Sequence, residues 1–123
     1  MLVSSYSRIR EFCETAGRKD AKALLAAWYK VAESANWEKF ADVKADYGSV
    51  DQVGNCLVFD IGNNRYRLIA RIIYDKHRVY ILRVMAHKEY DRKLWIADCG
   101  CHKPPPKPKL TANPRKPRQK KKR

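Results

Sequence analysis

The chain has 123 residues, 45% of them apolar and 33% charged, the length and balance of one globular domain rather than of a disordered polymer. No apolar run approaches the roughly 20 residues that span a bilayer. The N-terminus also lacks the basic start and continuous apolar stretch of a secretory signal, so neither a membrane protein nor an exported one is expected and a cytoplasmic setting fits best. The formal charge of +14 points to a polyanion, nucleic acid before an anionic membrane surface.

That charge is unevenly placed. All six prolines lie between Pro104 and Pro117, and the 21 residues from Lys103 to Arg123 hold ten Lys or Arg and no acid. Residues 1–102 keep 17 basic against 13 acidic side chains, an excess of four. The expectation is a folded body over 1–102 and a disordered basic tail over 103–123, whose like charges repel and which has almost nothing apolar to bury. Counterion release makes such a tail a salt-sensitive grip on RNA.

Up to Gly48 the body reads as helix. Ile9, Phe12, Cys13 and Ala16 recur at helical spacing behind Ser5 or Ser7 as caps, and Gly17 is placed to end the segment. Asp20 then reads as the cap of a second helix with the stripe Ala21, Leu24, Leu25, Trp28, Val31, Ala32 and Ala35. A short third segment from about Asn36 carries Trp37, Phe40 and Val43 inward. The aromatic residues Trp28, Tyr29, Trp37 and Phe40 fit core or partner-contact positions better than base-stacking platforms.

After Gly48 the period becomes that of strands. Cys56 to Ile61 leads through Gly62, Asn63 and Asn64, which tolerate positive φ, into Arg65 to Tyr74. That second strand sets Tyr66, Leu68, Ala70, Ile72 and Tyr74 on one face against Arg65, Arg67, Ile69, Arg71 and Ile73 on the other. Asp75, Lys76 and His77 turn the chain into a third strand from about Arg78 to Ala86. His87 to Ile96 reads as a turn followed by a short helix with Leu94, Trp95 and Ile96. The fold class expected is α+β, N-terminal helices packed on a small antiparallel sheet.

Residues 65–93 hold nine Lys or Arg against three acids, whereas residues 1–53 carry eight of each, so the positive field of the body belongs to the sheet half. An arginine row on one strand face suits a phosphate backbone, because guanidinium groups bind phosphate oxygens bidentately. It is also what a sheet with one wet face would show. The strand that follows ends in HKEYD, where His87, Lys88, Glu89, Tyr90 and Asp91 cluster. Cleaving RNA through its own 2′-hydroxyl needs a base, an acid and cations around the phosphorus, and neither a metal nor another cofactor. His87 can transfer protons near working pH, Arg67 and Lys88 are candidate cationic stabilisers, and Tyr90 can stack or transfer a proton. Arg65, Arg71, Arg83, Arg92 and Lys93 are the candidate RNA-binding residues. The length of the loop at Asp75 to Arg78 leaves open whether Arg71 or Arg83 joins the site.

The ordered set AWY on the second helix, W-x-x-F-A-D-V-K, V-G-N before a strand, F-D-I-G-x-N-x-Y-R-L-I and the terminal H-K-E-Y-D resembles the HigB-type toxins of bacterial type II toxin–antitoxin systems, within the RelE-like superfamily. The likeness covers roughly Leu2 to Ile96. It implies a RelE-like fold, ribosome-dependent cleavage of mRNA, and neutralisation by a helix-turn-helix antitoxin of HigA type. It places Arg67 at the strand arginine that contacts the scissile phosphate, and His87 and Lys88 at the basic pair after the last strand. Tyr90 falls near a position that varies across the superfamily. Ala86 departs from the Thr expected before the histidine, and the tail lies outside the shared domain. Two other readings stay open: a module that occupies RNA or the ribosome without cutting, and a degenerate toxin acting through its antitoxin.

Cys99-Gly-Cys101-His102 offers good zinc ligands, but as C-x-C with no second compact pair. Cys13 and Cys56 read as small buried residues. Four cysteines are too few for a disulfide scaffold, and all four are expected as free thiols, with Cys99 and Cys101 the more redox-active.

Overall fold

The computed structural model describes residues 1–14, 19–63, 65–106 and 108. Its elements run β1 (Leu2–Ser4), α1 (Ser7–Cys13), α2 (Lys19–Ser34), α3 (Phe40–Asp46), β2 (Asp51–Val53), β3 (Cys56–Ile61), β4 (Tyr66–Ile73), a 3₁₀ turn (Tyr74–Lys76), β5 (Arg78–Ala86), α4 (His87–Asp91) and α5 (Trp95–Asp98). The fold is α+β, as the change of period at Gly48 implies. Ala16, Gly17, Asn64 and most of the basic tail lie outside the described residues.

Five strands form one sheet in the order β1-β5-β4-β3-β2. The expected meander β3-β4-β5 is its antiparallel centre. β1 adds a parallel edge beside β5 and β2 an antiparallel one beside β3, so the sheet is mixed. Neither edge was legible, since three residues are too few to show a period. The caps also differ from expectation. Tyr6 precedes α1 without a side-chain cap, in place of Ser5 or Ser7. Asp20 lies inside the first turn of α2 rather than ahead of it.

The helical layer buries Ile9, Phe12, Ala21, Leu25, Trp28, Ala32, Trp37 and Val43 against one sheet face. That face is the alternating set the sequence foretells, with Tyr66, Leu68, Ala70, Ile72 and Tyr74 all buried. Phe59 is the hub, edge-on to Trp28 and stacked near Trp37. Trp28 and Trp37 are thus core residues, while Phe40 and Tyr29 are partly buried at its margin. Val31, assigned to the same stripe, is instead exposed.

The opposite face is not left wet. Cys56, Val58, Ile69 and Met85 on the strands form a second core with Trp95, Cys99 and Cys101, flanked by Val53, Leu82, Tyr90 and Ile96. The segment from α4 to Cys101 therefore lies back across the sheet as a cap. Gly54, at φ +56° between β2 and β3, marks how closely, since a Cβ there would stand 1.6 Å from the Cys101 carbonyl oxygen. A disulfide joins Cys56 to Cys101, leaving Cys13 and Cys99 as free thiols. This corrects the expectation of four thiols. Two cysteines 45 residues apart give no sequence sign of meeting until the cap is folded back.

Candidate active site

β4 and β5 set the site. Their register pairs Tyr66 with Ala86 and Arg67 with Met85, so the end of β4 that carries Arg67 lies beside the end of β5 from which His87 follows. The amide of His87 donates to the Arg65 carbonyl oxygen at 3.2 Å, continuing the ladder by one step into α4. HKEYD is thus a helix of five residues rather than a turn, starting where the sheet stops.

Arg67 is the most enclosed of the basic residues tied to this end, its side chain 12% exposed. Nη1 pairs with Asp60 Oδ1 at 3.2 Å, and the guanidinium carbon lies 4.9 Å from the Tyr90 ring centroid. Tyr90 in turn stacks on Trp95, centroids 5.2 Å apart and planes within 14°, and Trp95 Nε1 donates to the Tyr90 carbonyl oxygen at 3.0 Å. With a cation over the ring and an indole stacked on it, Tyr90 has little face left for a nucleobase. The ring lies against the Arg67 guanidinium, whose Nη1 also donates to the Tyr66 carbonyl oxygen at 3.3 Å.

His87 and Asp91 stand one helical turn apart, Nδ1 to Oδ2 2.9 Å, and both side chains are open to solvent. A carboxylate on Nδ1 favours the tautomer with its proton there, which leaves Nε2 free to accept one. Lys88, Arg92 and Lys93 are exposed beside it. Sequence reasoning missed Asp91, Asp60 and Trp95 as partners. The i,i+4 spacing of His87 and Asp91 is visible only if HKEYD is read as helix.

The remaining arginines divide. Arg65 reaches across to α2, where its Nη1 pairs with Asp20, and the Tyr66 hydroxyl donates to the same carboxylate at 2.7 Å. The Tyr66 hydrogen bond, then the Arg65 one, hold the Asp20 carboxyl below its ordinary range. A bulge answers the question of Arg71 and Arg83. Ile69 pairs with Arg83 but Ala70 with Ile81, so Leu82 is an extra residue in β5, and both arginines share the face of Arg67. Both are directed to the cap. Arg71 Nη2 donates to the Cys99 carbonyl oxygen at 3.0 Å, and Arg83 Nη1 pairs with Asp98 at 3.4 Å.

Between α4 and the sheet, Arg83, Met85, Glu89, Arg92 and Trp95 line a cleft of about 90 Å³. Small-molecule pockets run roughly 300–1,000 Å³, so this face presents a surface for an extended ligand rather than a socket. Among the described residues no three His, Cys, Asp or Glu side chains converge on a metal position, and no helix is long and apolar enough to cross a membrane.

Comparison with known proteins bears on the same region. The family model of the HigB toxin, the RelE-like toxic component of a toxin–antitoxin system, matches residues 21–93. The mRNA interferase toxin HigB of Escherichia coli K12 is 32% identical over 73 residues, 57% of this chain and 70% of that protein. The mRNA interferases HigB of Escherichia coli O157:H7 and Shigella flexneri match to the same extent. The matched segment holds Arg67 and all of HKEYD, and stops short of Trp95 and Cys101.

Proposed function

Because this chain belongs to the HigB family of RelE-like toxins and is an mRNA-cleaving enzyme, we propose that it cuts mRNA on the ribosome, in the cytoplasm, by metal-independent attack of the 2′-hydroxyl on the adjacent phosphate. Its target is mRNA and its protein partner an antitoxin; we assign that antitoxin to the helix-turn-helix, HigA-like class. The observation that carries the mechanism is the geometry at the shared end of β4 and β5. There Arg67, held by Asp60 and Tyr90, lies beside the strand end that delivers His87 with Nδ1 on Asp91.

His87 Nε2 takes the proton of the 2′-hydroxyl as its oxygen bonds to phosphorus. The bond from phosphorus to the 5′ oxygen breaks, and that oxygen gains a proton from a protonated side chain or water, leaving a 2′,3′-cyclic phosphate and a 5′-hydroxyl. Arg67 and Lys88 stabilise the charge that builds on the non-bridging oxygens. Asp91 orients His87, and Tyr90 keeps Arg67 in place. Arg65, Arg92 and Lys93 extend the basic surface along the RNA, while Arg71 and Arg83 act through the cap they hold. Residues 1–102 form the toxin domain, and 103–123 a basic tail that adds RNA or ribosome affinity without selectivity.

Induction of wild type, His87→Ala and Arg67→Ala, with mapping of RNA 5′ ends, tests the assignment. New ends in translated mRNA are expected from wild type alone, with cleavage reduced roughly 10²- to 10⁴-fold in His87→Ala. Inhibition of translation by wild type with no new ends would identify a binder that does not cut. Undiminished cleavage by either variant removes that residue from the mechanism.

A further inference from the structure

Several contacts among the described residues seat the cap. Trp95 and Cys99 enter the second core with Ile96 at its margin, Arg71 holds the Cys99 carbonyl, Arg83 pairs with Asp98, and the disulfide ties Cys101 to β3. Of these only the disulfide is covalent and chemically reversible. It fastens the segment that places Tyr90, because the Tyr90 ring lies on Trp95 and Trp95 lies in the same small core as Cys101. The Cys56–Cys101 bond and Trp95 thus share one small core, and from Trp95 contacts run through Tyr90 to the Arg67 guanidinium.

We propose that Cys56–Cys101 is a thiol–disulfide exchange site whose reduction by a small dithiol or a dithiol protein unseats the cap and slackens the support of Arg67. Where intracellular disulfides occur they are more often transient and redox-sensing than structural, which fits a bond that shares a core with Trp95. The exchange balances. A thiolate of the reductant attacks one sulfur and displaces the other, and the reductant's second thiol releases the mixed disulfide. Cys56 and Cys101 gain two electrons and two protons as thiols, and the reductant ends as a disulfide. Glutathione disulfide or a protein disulfide drives the reverse.

Both sulfurs are buried, at 0% and 1% residue exposure, so exchange waits for the end of the cap to lift. The chain beyond it, from His102 to Pro105, is exposed, and lifting this end breaks the close backbone packing of Cys101 and Lys103 on Gly54. Cys99 is also buried, and burial raises its thiol above the ordinary range, which makes it a poor competitor for the exchange.

The effect on cleavage rests on the function proposed above; the change in seating does not. The full chain is therefore prepared oxidised and after dithiothreitol, thiols are counted by alkylation, and hydrogen exchange over residues 87–103 is measured beside mRNA cleavage. The oxidised chain is expected to show two free thiols and protected cap amides. Reduction should release two more thiols, remove that protection and slow cleavage roughly tenfold. Cys101→Ala should match the reduced protein under both conditions, and Cys99→Ser should still respond. Four free thiols in the oxidised chain, or equal protection in both states, overturns the proposal. Equal cleavage rates with altered protection overturn its link to Arg67. Altered protection with cleavage in neither state leaves the exchange site standing and sinks the mRNA reading instead.

Discussion

The Arg67 guanidinium lies 4.9 Å from the centroid of the Tyr90 ring, a cation on the sheet held by an aromatic side chain from the helix that follows it. A contact of this kind is worth about 1 kcal/mol at a partly exposed site and more when desolvated. Its larger value is positional, because the ring and the Asp60 carboxylate together fix where the Arg67 charge stands at the end of β4.

If the ring is what matters, Tyr90→Phe should retain most of the cleavage rate, since stacking on Trp95 and contact with Arg67 both survive. Tyr90→Ala should lose about 10- to 100-fold, the scale expected when a catalytic group is displaced by an ångström or so. Single-turnover cleavage of an mRNA in ribosome complexes separates the two. A Phe variant as inactive as Ala would instead give the hydroxyl a part in proton transfer.

Asp20 links the two layers at its carboxylate, where the Tyr66 hydroxyl and Arg65 meet. Its lowered pKa means the folded state prefers the charged form. The stabilisation is complete above the unfolded value near 3.9 and is lost as pH falls through the lower folded value. Thermal melting below about pH 4 should therefore fall less steeply for Asp20→Asn than for wild type; parallel slopes would show the carboxylate to be unlinked to folding.

The alkaline limb has the opposite origin. Burial pushes Tyr47 and Tyr74 up to about 12, so each stays neutral in the fold after it would ionise in the unfolded chain. Their contribution is intact below about 10 and disappears as pH climbs towards 12. Tyr74→Phe and Tyr47→Phe should each resist alkaline melting better than wild type. The Tyr74 hydroxyl has no hydrogen-bond partner among the described residues, so its removal should cost little or nothing at neutral pH.

Removing residues 104–123 takes away nine of the ten basic side chains of the tail. Binding to RNA or ribosomes should weaken and its salt dependence flatten, with the rate of the bound complex unchanged. Titration at several salt concentrations beside single-turnover cleavage reports the two effects separately. A lost chemical step would assign the tail to the site itself.

What the sequence disclosed follows from where periodicity is strong. β3 and β5 match their expected limits residue for residue, because turn residues bound both strands, and within β4 Tyr66, Leu68, Ala70, Ile72 and Tyr74 alternate against Arg65, Arg67 and Arg71. The same alternation separates Arg67 from Leu68 and marks the end of β5 as the place where cations, His87 and Tyr90 gather. The cap escaped notice because its contacts are long-range. Trp95, Cys99 and Cys101 have no period of their own, and only the folded chain brings them onto Cys56 and Ile69. Arg71 and Arg83 accordingly read as RNA-binding residues, with their contacts to Cys99 and Asp98 out of sight.

The bulge at Leu82 also bears on how this strand can change in length. A regular ladder continued from the Ala70–Ile81 pair would set Arg83 opposite Leu68, inside the helical core. Losing position 82 would leave every pair on either side as it is, removing the kink and one side chain from the margin of the second core. A residue lost at 80 would instead shift one part of the strand against its partner, and a one-residue slip exchanges the two faces. β5 thus has, at Leu82, a site where a deletion is absorbed while the spacing from Arg83 to His87 is kept.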